Sequence, residues 1–172
     1  MFKAGPARTA GAALYAAAIR QARQPDFYAA LGAPDTVEGR FELYSLHVVL
    51  LTHRLKGEGV LASEISQALF DAYVGALDNG LREMGVGDLT VPKTMRKLGG
   101  AFYGRATAYD AILANRDRAE LVALLERTVF DGASGAACDK LADYVLASAA
   151  CLADQSLEAV LDAQLVWPPV CP

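Results

Sequence analysis

The sequence predicts an all-α protein, a single compact domain of about seven helices in an orthogonal or irregular bundle. Three observations carry that prediction. Apolar residues recur at helical spacing along almost the whole chain, short Gly, Pro, Asp and Ser punctuation separates the periodic segments, and no run of alternating β-branched residues is long enough for a strand. No repeat or linker interrupts positions 1–172, so one domain is expected.

The first helix is expected from about Ala7 to Arg23, ending before Pro25. Lys3 and Arg8 ahead of the Ala-rich stretch, with an Ala-x-Ala site, resemble a weak signal peptide. Arg20 and Arg23 directly behind it favour an amphipathic helix instead. A short turn of helix follows around Asp26 to Leu31, closed by Gly32 and Pro34. From about Thr36 to Lys56, Phe41, Tyr44, Val48, Leu51 and Leu55 form one apolar line, and Leu43, Leu46, His47 and Leu50 form a second. A stripe that wide marks a central helix, with Glu38, Glu42, Ser45, Thr52 and Lys56 left for a solvated face. Asp35, Glu38 and Arg40 are read as fixing the turn into it through a cap and ion pairs.

After Gly57 and Gly59 a helix is expected to restart near Ser63 with a hydroxyl cap, burying Ile65, Leu69, Ala72, Ala76 and Leu77. Asp71 and Asp78 lie on a separate face, with Arg82 placed to pair with Asp78. Gly85, Gly87 and Pro92 then break the chain and open a helix from about Pro92 to Ala114, which buries Met95, Leu98, Phe102, Ala106, Tyr109 and Leu113. Its other side joins Lys93, Arg96, Lys97, Gly100, Tyr103, Gly104 and Thr107. Each glycine there costs roughly 1 kcal/mol of helix propensity relative to alanine. Asp117 and Glu120 resemble a capping box for the next helix. Two further helices are expected, from about Ser134 to Leu152 and Ser156 to Leu165, before a Pro-rich tail, 166–172, that lies along the surface.

Composition narrows function. The chain is 53% hydrophobic with a mean hydropathy of +0.22, yet its longest strongly apolar stretch, Val48-Val49-Leu50-Leu51, is four residues. A bilayer span needs roughly 20. Sixteen basic and 20 acidic residues give a net charge of −4, which argues against DNA or general polyanion binding while leaving room for a local basic patch. Cys138, Cys151 and Cys171 show neither CxxC spacing nor an even count, so neither a disulfide framework nor a zinc site is expected, and a reducing compartment fits best.

The sequence carries no catalytic pattern. Neither His47 nor His53 has a Glu three residues before it, no Gly-x-Ser-x-Gly elbow occurs, and Gly85-Val-Gly87 lacks the remainder of a nucleotide loop. No catalytic residue, metal site or cofactor is therefore expected. His47, on an apolar stripe, leaves an alternative open: an all-helical carrier of haem or quinone. What stands out is a binding surface. The glycines at 100 and 104 admit a close neighbour, from this domain or from a partner, and Tyr103 offers an anchor rimmed by charge.

The order of short motifs adds to this reading. Leu14-Tyr15, Gln21-Ala22-Arg23 with Phe27-Tyr28, the string from Pro34 to Glu42, and Leu46-His47 resemble the ubiquinol-cytochrome c chaperone family. So do the string from Leu81 to Lys93, then Ala101-Phe102-Tyr103-Gly104-Arg105 and Tyr109. The resemblance covers 14–125. It implies a helical, non-enzymatic assembly factor for ubiquinol-cytochrome c reductase, respiratory complex III, acting on newly made cytochrome b or an early intermediate. It also implies contact with the ribosome or a small partner protein. With no targeting extension, the chain looks like a bacterial, domain-only member, expected at the cytoplasmic face of the inner membrane. Placed on this reading, the partner-binding surface comprises Arg82, Met84, Val86, Asp88, Val91, Lys93, Lys97, Gly100, Tyr103, Gly104 and Arg105. Arg82, Lys93, Lys97 and Arg105 are expected to meet acidic groups, ribosomal RNA or phospholipid. A third alternative makes Lys93, Arg96 and Lys97 a peripheral membrane-binding patch.

Overall fold

Helices form where the apolar stripes run. The computed structural model describes residues 5–170 as eight helices, with no strand among them. These are α1 (Pro6–Ala22), α2 (Asp26–Ala29), α3 (Val37–Leu55), α4 (Val60–Glu83), α5 (Val91–Asn115), α6 (Arg118–Thr128), α7 (Ala136–Asp154) and α8 (Leu157–Leu161). Lys3, Cys171 and Pro172 lie outside the described residues.

Three side-chain caps set helix starts. Thr36 Oγ1 accepts the Gly39 N–H at 3.1 Å, Asp117 accepts the Glu120 N–H at 3.0 Å, and Ser156 accepts the Ala159 N–H at 3.2 Å. The turn into α3 is held further by an Arg40–Asp35 ion pair of 2.7 Å. Gly39 has to be glycine, because a Cβ there would lie 2.0 Å from the Pro34 carbonyl oxygen.

α3 is the axis of the core, with Leu43, Leu46, Val48, Leu50, Leu51 and Leu55 all buried. Its solvated face is narrower than the sequence predicts. Glu42 and Ser45 are buried, because α4 and α5 pack over them: Ser45 shares a 2.7 Å hydrogen bond with the Tyr73 hydroxyl, and Glu42 meets Arg105. A second correction concerns the start of α4. Gly57 and Gly59 take positive φ values of 80° and 99°, so the chain reverses early and the helix begins at Val60. Ser63 therefore sits inside its first turn and caps nothing. The buried stripe is Ala62, Ile65, Leu69, Tyr73 and Leu81, with Ala72, Ala76 and Leu77 at its margin.

α1 lies against α3 and α4, and Gly11 is the point of closest approach: a Cβ there would meet Ala68 Cβ at 2.5 Å and the Leu69 nitrogen at 2.6 Å. On the far side α7 packs on α3 and α6, clamped by Arg118, which reaches Asp139 at 3.0 Å and Asp143 at 2.7 Å. The tail does not simply lie along the surface. Gln155 bonds both the N–H and the carbonyl of Val166, the Trp167 ring packs edge-on against His47 at 5.3 Å, and Val170 is buried. The Trp167 indole and the Val170 side chain are drawn in by the apolar surface they cover, while Val166 stays exposed. Cys138 and Cys151 are both free thiols.

Candidate functional site

The corner between α4 and α5 is built by its glycines. Gly85 takes φ 80°, the Gly85 N–H bonds the Arg82 carbonyl and the Val86 N–H bonds the Leu81 carbonyl, both at 3.0 Å. Arg82 pins the turn rather than reaching outward: it pairs with Asp78 at 2.8 Å and with Asp88 at 2.5 Å. This is the pairing with Asp78 that the spacing predicts. Val91 departs from the expected surface, since it is the first residue of α5 and turns into the core at 1% exposure. Val86 is half-buried, whereas Met84 stays exposed and Leu89 stands in solvent at 98% exposure.

Along α5, Lys93, Arg96, Lys97, Gly100, Tyr103, Gly104 and Thr107 share an exposed face. Among the described residues, no atom beyond α5's own adjoining backbone lies within 4 Å of where a Cβ would stand at Gly100 or Gly104, so these glycines accommodate none of the described helices. Lys93, Arg96 and Lys97 form no ion pair with any described residue, and the first turn of α5 contains no acid. Cations at the positive end of a helix dipole work against local stability and leave a positive field facing solvent. Arg105 is the other departure. Its guanidinium turns toward α3 and grips Glu42 in a two-point contact of 2.8 and 3.0 Å, so it braces the core instead of offering free charge. The burial of Glu42, which requires a cation, explains the inward turn.

Beside Tyr103 the three helices leave an open groove of about 740 Å³. Val49, Thr52 and Leu55 of α3 contribute to its lining, Ser63, Ser66, Gln67 and Phe70 of α4 form one side, and Phe102, Tyr103, Ala106, Thr107, Ala111 and Ala114 of α5 form the other. Aromatic rings lead from the core to its mouth: Tyr73 contacts Phe102 at 5.3 Å, Phe102 contacts Phe70 at 5.1 Å, and Phe70 contacts Tyr103 at 5.5 Å. Small residues on α5 keep the groove open; Phe70 and Phe102 make it apolar. One end is ionic. His53 Nδ1–H donates to Asp110 at 2.6 Å, and Lys56 donates to the other carboxylate oxygen. The Lys56 ammonium first, and His53 with it, hold the Asp110 carboxyl below the usual carboxylate range.

Sequence reasoning singles out Tyr103 but misses Phe70 and the His53–Asp110–Lys56 cluster. His53 and Asp110 are 57 positions apart, and no local pattern links them. The structure separates His47 from any ligand role. Nδ1–H donates to the Leu43 carbonyl at 2.8 Å, Nε2 accepts from the Tyr144 hydroxyl at 3.0 Å, and the ring is enclosed by Phe27, Tyr144 and Trp167. Burial pushes its pKa down to about 4, so the ring is neutral. Among the described residues no three His, Cys, Asp or Glu side chains cluster as a metal site would require. No helix among them is long and apolar enough to cross a membrane.

The described residues thus form a helical bundle with an aromatic-lined groove and a cation-bearing helix face open to solvent. A sequence model of the family described as Ubiquinol-cytochrome C chaperone matches residues 29–167. The match reaches further toward the C-terminus than the motif-bearing stretch 14–125. The crystal structure of the Cbp3 homolog from Brucella abortus is similar over 96% of this chain and 92% of that one, at 36% sequence identity and a TM-score of 0.87. No curated protein matches the chain. The chain belongs to the ubiquinol-cytochrome c chaperone family, a family of chaperones and not of enzymes.

Proposed function

We propose that this protein assists assembly of complex III by holding newly made cytochrome b, or an early intermediate containing it, against the groove between α3, α4 and α5. Family membership supplies the process. The observation that supports the place is the groove itself, apolar at Phe70 and Phe102, open to solvent, and bordered by an exposed Tyr103. A chaperone for a membrane subunit needs apolar surface that receives a client segment, yet little enough of it that the free protein stays dispersed. A groove of this size takes one short helical segment or a few side chains. Lys93, Lys97, Gly100 and Gly104 run by helical spacing into Thr107 and Ala111 of the groove wall, and we take Met84, Val86 and Asp88 of the preceding turn as its outer flank. The work is placed at the cytoplasmic face of the membrane, where cytochrome b emerges.

The test is a photo-crosslinking residue introduced at Thr107 in the full chain, in respiring cells, followed by identification of the captured proteins. Cytochrome b is expected, with a several-fold drop when Tyr103→Asp is added. Because Tyr103 is 61% exposed, that variant is expected to change stability by no more than about 1 kcal/mol. Capture of ribosomal proteins or of a small partner in place of cytochrome b would reassign the groove. Normal complex III levels in cells lacking the protein would sink the reading. The haem-carrier alternative loses its anchor with the enclosure of His47.

A further inference from the structure

We infer that the α4–α5 corner is a docking tip that seats the protein on an anionic lipid bilayer, with Leu89 entering the membrane interface and Lys93, Arg96 and Lys97 meeting lipid phosphates. At 98% exposure Leu89 is the most exposed large apolar side chain among the described residues, and Met84, at the start of the same turn, is 54% exposed. A single exposed aliphatic group is ordinary; what distinguishes this one is its place beside a cluster of free cations. Two residues beyond Leu89, α5 begins, and its first two turns carry the three cations without ion-pair partners. The acids of the corner, Asp78, Glu83 and Asp88, lie on α4 and the turn, and two of them share Arg82. The α5 side is left purely cationic.

The combination selects the partner. A bilayer surface offers phosphates for the cations and an acyl boundary for Leu and Met at adjacent depths. A nucleic acid would satisfy the cations, but bare aliphatic side chains give its bases nothing to stack on. The chain as a whole is net acidic, so an anionic surface offers it no general attraction, and the corner is where exposed cations stand next to exposed Leu89 and Met84. The Arg82–Asp88 pair holds the turn in place beforehand. Positions 93, 97, 100 and 104 share one side of α5 by helical spacing. The exposed glycines add no bulk there, so the helix can lie flat, with Tyr103 and the neighbouring groove brought to the membrane. No helix among the described residues is long and apolar enough to cross a bilayer, and the corner is proposed to meet its surface.

The experiment is co-sedimentation of the full chain with vesicles of phosphatidylcholine alone and of phosphatidylcholine mixed with phosphatidylglycerol, at low and at high salt. Binding is expected to the anionic vesicles only and to fall with salt. The triple change Lys93→Glu, Arg96→Glu, Lys97→Glu is expected to weaken it on the order of 100-fold, and Leu89→Ser about tenfold. A control triple of Arg116→Glu, Arg127→Glu and Lys140→Glu, all exposed, is expected to bind as the parent does. Leu89→Ser removes no internal contact and keeps the test meaningful if the triple variant loses helicity. Absence of sedimentation with anionic vesicles, equal loss in the control triple, or full binding by both corner variants would overturn the proposal. Binding of homopolymeric RNA through the same three cations without vesicle binding would overturn it as well and assign the patch to nucleic acid.

Discussion

Gly11 on α1 and Gly104 on α5 are both glycines inside long helices, and the two faces they mark meet opposite fates. Gly11 lets α1 lie almost backbone to backbone on α4, where a Cβ would meet Ala68 and Leu69 within 2.6 Å. Gly104, with Gly100 a turn before it, faces open space. In sequence the two cost the same helix propensity and invite the same explanation. What separates them is the neighbour: a glycine that admits a helix stabilises the fold, and one that admits nothing inside the molecule leaves a surface bare. The closed side gathers α1, α3, α7 and the tail around His47. The open side carries the groove, Tyr103 and the cationic corner.

The sharpest way to break the contrast is at Gly11. Gly11→Leu is expected to force α1 from α4 and to cost about 3 kcal/mol or more, read as a lower denaturant midpoint. If stability were unchanged, the close approach would not be holding the closed side together.

Next in size is the pH response of His47, which lies wholly inside that side. Its folded pKa, about 4, is below the ordinary histidine value of 6.5. The unfolded chain therefore takes up a proton that the folded one refuses. Stability from the neutral ring is fully present above pH 6.5 and is lost as pH falls toward 4, by roughly 3 kcal/mol over that window. His47→Gln is expected to flatten this part of the profile, whatever it does to stability at neutral pH. Urea unfolding at a series of pH values measures both chains. An unchanged slope would mean that the ring is open to water.

The smallest effect has the opposite sign and belongs to the open side. Gly104→Ala is expected to raise stability by about 1 kcal/mol, because the new methyl meets no atom and the unfolded chain loses freedom. A destabilised variant would place an unseen neighbour at this face. Thermal unfolding of Gly11→Ala beside Gly104→Ala sets the two glycines against each other within one experiment.

Much of the fold was legible because its signals are local. Thr36, Asp117 and Ser156 cap where their side chains can reach a backbone N–H three residues on, and Gly85 ends α4 because its left-handed φ suits glycine. The start of α4 was not legible in the same way. Ser63 has a capping side chain, but the reversal at Gly57 and Gly59 comes first. Of the candidate surface, the sequence points to the turn and to the outer face of α5. It misplaces Val91 and Arg105: Val91 turns inward because its apolar side chain is covered at the start of α5, and Arg105 because the buried Glu42 carboxylate on α3 needs a cation.

The sequence by itself determined the helices, most of their ends, the family, and the presence of a glycine- and cation-rich face on α5. Each of these depends on residues within a few positions of one another, or on a string of motifs in order. Only the tertiary structure decided that Glu42 and Ser45 are covered, that His47 is sealed by the tail, and that Phe70 joins Tyr103 at a groove. It also decided which glycines touch a neighbour. The reason is that burial and charge pairing are set by what lies across a contact, and the partners here, Ser45 and Tyr73 or His53 and Asp110, are 28 and 57 residues apart. Periodicity shows which side of a helix is apolar; packing alone determines whether that side meets another helix or water.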